Sequence, residues 1–116
     1  MLNVQARAQF CILTVGVLWF TRGFIMLLTE DEIDGALRGL PEWTRAERSI
    51  SASYQFAGFP GAMAFVNHVA GMAERANHHP DIDIRWNKVL IRLSTHSDGG
   101  LTDKDFALAE QIDRLD

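Results

Sequence analysis

The sequence predicts an α+β fold: a four-stranded antiparallel sheet with helices packed on one face. Three observations carry this. Stretches with a helical period near 3.6 alternate with paired stretches of period 2, giving the order α-β-β-α-β-β-α. The paired stretches are close enough in sequence to form hairpins, which makes their strands antiparallel. Within each stretch apolar residues alternate with polar ones, so one face of the sheet is buried and the other meets water.

The elements follow in order. Thr29-Glu30-Asp31-Glu32 is a capping box, with an acid three residues after the cap. Ile33, Ala36, Leu37 and Leu40 continue at helical spacing, and Gly39 with Pro41 stops the helix. From Trp43 to Phe56 the period becomes 2. Ile50, Ala52, Tyr54 and Phe56 share one parity, and the segment from Trp43 to Arg48 is their antiparallel partner. Gly58 and Pro60-Gly61 mark a turn. A second helix is expected from about Ala62 to Ala76, with Ala62, Phe65, Val66, Val69, Ala70 and Ala73 as its apolar stripe. Pro80 closes that segment. Ile82, Ile84 and Trp86 alternate again, Asn87-Lys88 turns the chain, and Val89, Ile91 and Leu93 form the next strand. Ser97-Asp98-Gly99-Gly100 is a loop. Thr102 to Asp105 repeats the cap pattern and opens a last helix with Phe106, Leu108, Ala109 and Ile112.

A chain of 116 residues has room for one such core. The 47% hydrophobic content is ordinary for a globular protein and excludes general disorder. The net charge is −4 and the basic residues are scattered, which excludes the clustered Lys/Arg footprint of a nucleic-acid binder. The single cysteine, Cys11, cannot form an intrachain disulfide or a cysteine-rich zinc site. Residues 1–28 stand apart as an apolar N-terminal extension; 29–116 form the domain. The extension holds the run from Phe10 to Phe20, about half the roughly 20 apolar residues a membrane helix needs. Three readings of it stand: a start upstream of a native Met26, an extra docked helix, or a targeting segment. Against the last, Arg22, Phe24 and Ile25 occupy the place of a small-x-small cleavage site.

The chemistry is concentrated in one stretch. Three of the four histidines lie between 78 and 96, and two are adjacent in Asn77-His78-His79-Pro80-Asp81. Glu74 precedes His78 by four residues, one helical turn, so its carboxylate is expected to reach that imidazole if the helix persists. The residue before a proline is driven out of helical geometry, which puts His79 at the end of an element. His96 is expected at the end of the strand from Val89, on the parity of Arg92 and Ser94 and opposite to the core residues. His68, between Val66 and Val69, reads as structural. On its own, Asp105 reads as the third-position acid of the Thr102 cap, and Trp86 as core. A zinc centre is not expected, because adjacent histidines rarely converge on one ion and no His-x-x-x-His pair is present.

The string Glu74-x-x-x-His78-His79-Pro80, then Trp86, His96 and Asp105, resembles the signature of the pterin-4a-carbinolamine dehydratases. The intervening gaps of five, nine and eight residues fit it, as do Phe56, Phe59, Phe65, Ala73-Glu74, Ser94-Thr95-His96 and Gly100-Leu101-Thr102. The resemblance covers 29–116. Asn77 stands where many members carry Asp, so no carboxylate chemistry is assigned there.

This resemblance implies a cytoplasmic hydro-lyase that dehydrates 4a-hydroxytetrahydrobiopterin to the quinonoid dihydropterin, in the recycling of the pterin of aromatic amino-acid hydroxylases. It implies no cofactor and no metal. His78, His79 and His96 would surround the reacting carbon, with Glu74 orienting an imidazole. Histidine suits the task because its ordinary pKa of about 6.5 lets it give or take a proton near neutrality. Asn77, Trp86, Ser94, Thr95, Ser97 and Asp105 would bind the pterin. The partners implied are the pterin, further copies of the chain in a dimer or tetramer, and an aromatic amino-acid hydroxylase, without nucleic acid or membrane. The alternative is a non-catalytic dimerisation or regulatory module of the same fold, which has no need of three placed imidazoles.

Overall fold

The computed structural model describes residues 27–115, so the expected extension over 1–28 lies outside the described residues except for Leu27 and Leu28. Those two join the domain: Leu27 bridges to Thr102, and the Leu28 amide donates to the Leu101 carbonyl at 3.0 Å.

The elements are α1 (Glu30–Arg38), β1 (Thr44–Ala46), β2 (Ser49–Gln55), α2 (Phe59–Ala76), β3 (Asp81–Arg85), β4 (Lys88–Leu93), a short 3-10 turn (His96–Asp98) and α3 (Asp103–Asp113). Thr29 caps α1 with a complete capping box: its hydroxyl accepts from the Glu32 amide and the Glu32 carboxylate accepts from the Thr29 amide. Thr102 and Asp105 build the same device on α3. The strands form one antiparallel sheet in the order β1-β2-β4-β3.

Three boundaries and one core position differ from the sequence reading. Pro60-Gly61 is not a turn but part of the first turn of α2, where proline's missing N–H costs nothing because that donor has no helical partner anyway. The β1–β2 turn is Glu47-Arg48, so β1 is shorter than the expected segment. Trp86 is not on a strand; with Asn87 it forms the two-residue turn between β3 and β4, at φ 54°. Met72 rather than Ala70 completes the buried stripe of α2 with Ala62, Phe65, Val69 and Ala73.

The core lies between one face of the sheet and the helices. Ile50, Ala52 and Tyr54 of β2 and Val89, Ile91 and Leu93 of β4 point into it, against Val69 of α2 and Phe106, Leu108 and Ile112 of α3. Each large side chain so enclosed is worth about 1.5–3 kcal/mol. The intervening residues, among them Ser53, Gln55 and Arg92, face outward, leaving the other sheet face open and polar.

The register sets the site. Asp81 pairs with Arg92 and Arg85 with Lys88. Residues just before β3 and just after β4 therefore share one end of the sheet. Trp86 lies at the other end, roughly 16 Å away at about 3.3 Å per residue.

Candidate active site

Asn77 decides how the two adjacent histidines part. It takes the left-handed conformation, φ 50° and ψ 44°, which asparagine tolerates better than most residues. Its amide donates to the Glu74 carbonyl at 3.1 Å, and the His78 amide donates to the Ala73 carbonyl at 3.0 Å. This pair of bonds closes α2 and reverses the chain. His78 is then buried, while His79, held out of the helix by Pro80, is exposed.

His78 meets a buried carboxylate. Its Nε2 lies 2.6 Å from Oδ1 of Asp105, whose side chain has no exposed surface. The other oxygen, Oδ2, accepts from the Thr95 hydroxyl at 2.8 Å and the Thr102 amide at 2.9 Å. The Thr95 and Thr102 hydroxyls are 2.8 Å apart. Thr95 has one proton and gives it to Asp105, so Thr102 donates to Thr95 while accepting from the Lys104 amide at 3.2 Å. The donors run in one direction toward the carboxylate. An ionised Asp105 can only accept, so His78 donates from Nε2 and keeps Nδ1 as the ring atom left for chemistry.

Glu74 serves the other histidine. Its Oε1 is 2.6 Å from Nε2 of His79, and both side chains are exposed. The expected Glu74–His78 pair does not form, because the left-handed turn at Asn77 breaks the helical spacing on which it depended. His68 is exposed on α2 and takes no part in these contacts.

His96 comes from the far side of β4. The strand ends at Leu93, and His96 opens the 3-10 turn rather than ending the strand. Thr95 and Gly100 exchange backbone hydrogen bonds at 2.9 and 3.3 Å, which closes the loop. The parity expected from the sequence is kept: Arg92, Ser94 and His96 line one concavity of about 360 Å³, with Arg48, Ser49, Asp81 and Gly99. Thr95 precedes His96 directly, so Asp105 ties the His78 turn to the His96 loop.

Of the expected pterin-binding residues, Ser94 lines the concavity and Ser97 is exposed on the 3-10 turn. Asn77 contributes its backbone turn. Thr95 and Asp105 are enclosed behind His78, and Trp86, 69% exposed, stands at the opposite end of the β3–β4 hairpin and is not brought to the histidines. Sequence reasoning missed Thr102 as more than a cap, and it missed Arg48 and Ser49. Their signal was the β2–β4 register, Ile50 against Leu93, which lays Ser49 beside Ser94.

A family model described as pterin 4 alpha carbinolamine dehydratase matches residues 26–115. The chain belongs to that family. A provisionally named pterin-4-alpha-carbinolamine dehydratase of Nocardia farcinica is 56% identical over 89 residues, covering 77% of this chain and 94% of the relative. One of Roseiflexus castenholzii, named in the same way, is 55% identical over 89 residues, covering 77% and 96%. Among solved structures, a transcriptional coactivator/pterin dehydratase from Brucella melitensis superposes with a TM-score of 0.74 at 34% identity, over 76% of this chain and 96% of that one. A pterin dehydratase-like RuBisCO assembly factor of the alpha-carboxysome, at 22% identity and a TM-score of 0.52, shares the fold. As in other pterin-4a-carbinolamine dehydratases, the fold is α+β, a four-stranded antiparallel sheet with helices on one face.

Proposed function

We propose that the protein dehydrates 4a-hydroxytetrahydropterins by histidine acid–base catalysis, restoring the pterin used by aromatic amino-acid hydroxylases. The observation that carries this is the pairing of two imidazoles with two carboxylates, His78 with Asp105 and His79 with Glu74, at the sheet end that also presents His96.

The reaction breaks the C4a–O bond and removes the proton on N5. The departing hydroxyl must gain a proton to leave as water, and a base must take the N5 proton as the C4a–N5 double bond forms. One proton is given and one taken, so no cofactor is consumed. We assign His79 as the acid at the hydroxyl. Glu74 holds its ring by Nε2, which leaves Nδ1 as the atom to carry the transferred proton. His96 and His78 are the groups available to N5 and to the developing charge, and Asp105 holds His78 in one tautomer and one orientation. Each placed proton transfer is typically worth about 10²–10⁴-fold in rate. A purely adaptor role would leave the exposed His79–Glu74 pair and His96 without use.

The test is whether added protein accelerates decay of 4a-hydroxytetrahydropterin formed by a hydroxylase, followed by absorbance. His79→Ala and His96→Ala should each lose at least about tenfold in kcat/KM, roughly 1.4 kcal/mol of transition-state stabilisation. His68→Gln should match wild type. No acceleration by the wild-type protein, or equal losses for His68 and His79, would overturn the assignment.

A further inference from the structure

We infer that the concavity beside His96 is a subsite for an anionic group on the pterin's C6 side chain, a phosphate monoester or carboxylate, so that the enzyme prefers pterins carrying one. The inference rests on the proposed dehydratase reading. Its physical basis is a pair of arginines.

Arg48 and Arg92 both line the concavity. Arg45 and Arg85, by contrast, each engage a carboxylate, Glu30 and Asp83. Neither Arg48 nor Arg92 is ion-paired among the described residues, although Asp81 sits across from Arg92 in the strand register and lines the same wall. Two guanidiniums against one carboxylate leave the wall with a net positive charge before His96 is counted. The Ser94 hydroxyl adds a neutral donor, while the Ser49 hydroxyl gives its one proton to the Ala46 carbonyl at 3.3 Å. Planar guanidiniums present paired N–H groups that match the oxygens of phosphate and carboxylate.

The position follows from the chemistry of the ring. In a pterin, C6 is bonded to N5, and N5 to C4a. A ligand whose C4a or N5 faces His96 therefore sends its C6 substituent off from beside His96. The concavity, about 360 Å³, has room for a C6 side chain with a terminal anionic group. Residues from the β1–β2 turn, from β4 and from the 3-10 turn converge there only in the folded sheet.

The experiment compares kcat/KM for two 4a-hydroxytetrahydropterins differing only at the end of the C6 side chain, one a neutral hydroxyl and one its phosphate monoester. Wild type should favour the phosphate by tenfold or more, and the preference should fall at least fivefold in Arg48→Gln and in Arg92→Gln, with partial return in Arg92→Lys. Equal kcat/KM for the two substrates in wild type, or a preference that both variants keep, overturns the subsite. A second arm does not depend on turnover: inorganic phosphate is titrated while the His96 ring resonances are followed by NMR. If neither pterin is turned over, a His96 response in wild type that is lost in Arg92→Gln upholds the anion site and locates the failure in the dehydratase reading. No response in that case overturns both.

Discussion

A carboxylate enclosed in a protein core is tolerated only when its lone pairs find donors. Asp105 finds three, from His78, Thr95 and Thr102. Replacing it by asparagine puts an amide N–H₂ among groups already donating. Either a donor loses its partner, at about 1–3 kcal/mol, or the His78 ring takes its other tautomer to accept from the amide and no longer offers Nδ1 as an acceptor. Asp105→Asn should lower Tm by several degrees, and its kcat should fall further than that of an equally destabilised core variant remote from His78; melting curves and turnover together check this. The Glu74 carboxylate tests the other pair. Glu74→Gln should reduce kcat/KM in wild type and have no further effect in a His79→Ala background, while the two losses should add in a His78→Ala background. A double-mutant cycle reads this directly. Sequence spacing favoured His78 as the partner of Glu74. The i to i+4 rule holds only while the helix lasts, and Asn77, a residue type that favours the left-handed helix end, stops it before His78, a signal that spacing alone leaves out. Asp105, in contrast, was legible as a cap but not as the partner of His78, a contact spanning 27 positions.

Among the elements, the helices and the alternating strands were legible because caps and periodicity are local. The turns were less so. Trp86 continues the alternation of Ile82 and Ile84, so period alone extends the strand by one residue into the turn; only pairing with β4 sets the end at Arg85. Pro60-Gly61 misled for a related reason, since proline marks both turns and first helical turns. At the other end of the sheet, α1 is tied to β1 by Arg45, whose Nη2 donates to Glu30 at 2.9 Å. The Arg45 guanidinium holds the Glu30 carboxyl below its ordinary value. A lowered folded-state pKa means the pair stabilises when the carboxylate is ionised and is lost as pH falls through the acid range. Glu30→Gln should therefore melt slightly below wild type at pH 7, with the difference closing at acid pH. Glu30 is exposed and Arg45 half-buried, so the effect is small and declines with added salt.

The whole domain is small, and small domains bury a limited fraction of their surface. Its sheet has two edge strands, β1 and β3, and an open face. Ile84 and Trp86, both exposed, stand along and beyond the β3 edge. Unpaired edges with exposed apolar side chains are commonly covered by association. Sedimentation at micromolar concentration should give a mass of at least two chains, and Trp86→Lys should shift it toward one. A single-chain mass for wild type would contradict this. From the sequence, association is an expectation that rests on the small core and the sheet's edges as well as on the family resemblance.

The chain of hydroxyls behind His78 also bears on how the site is acquired and lost. Thr102 to Asp105 begins α3, Thr95 follows β4, and His78 follows α2, so one carboxylate fastens three segments distant in sequence. The Thr102–Asp105 cap is local to α3, but the complete set of bonds forms only when all three segments are docked. The Thr102 amide, bonded to Asp105 in a fully buried residue, should be among the slowest to exchange with solvent, which hydrogen exchange followed by NMR checks. The complete surroundings of His78 thus exist only in the fully assembled domain.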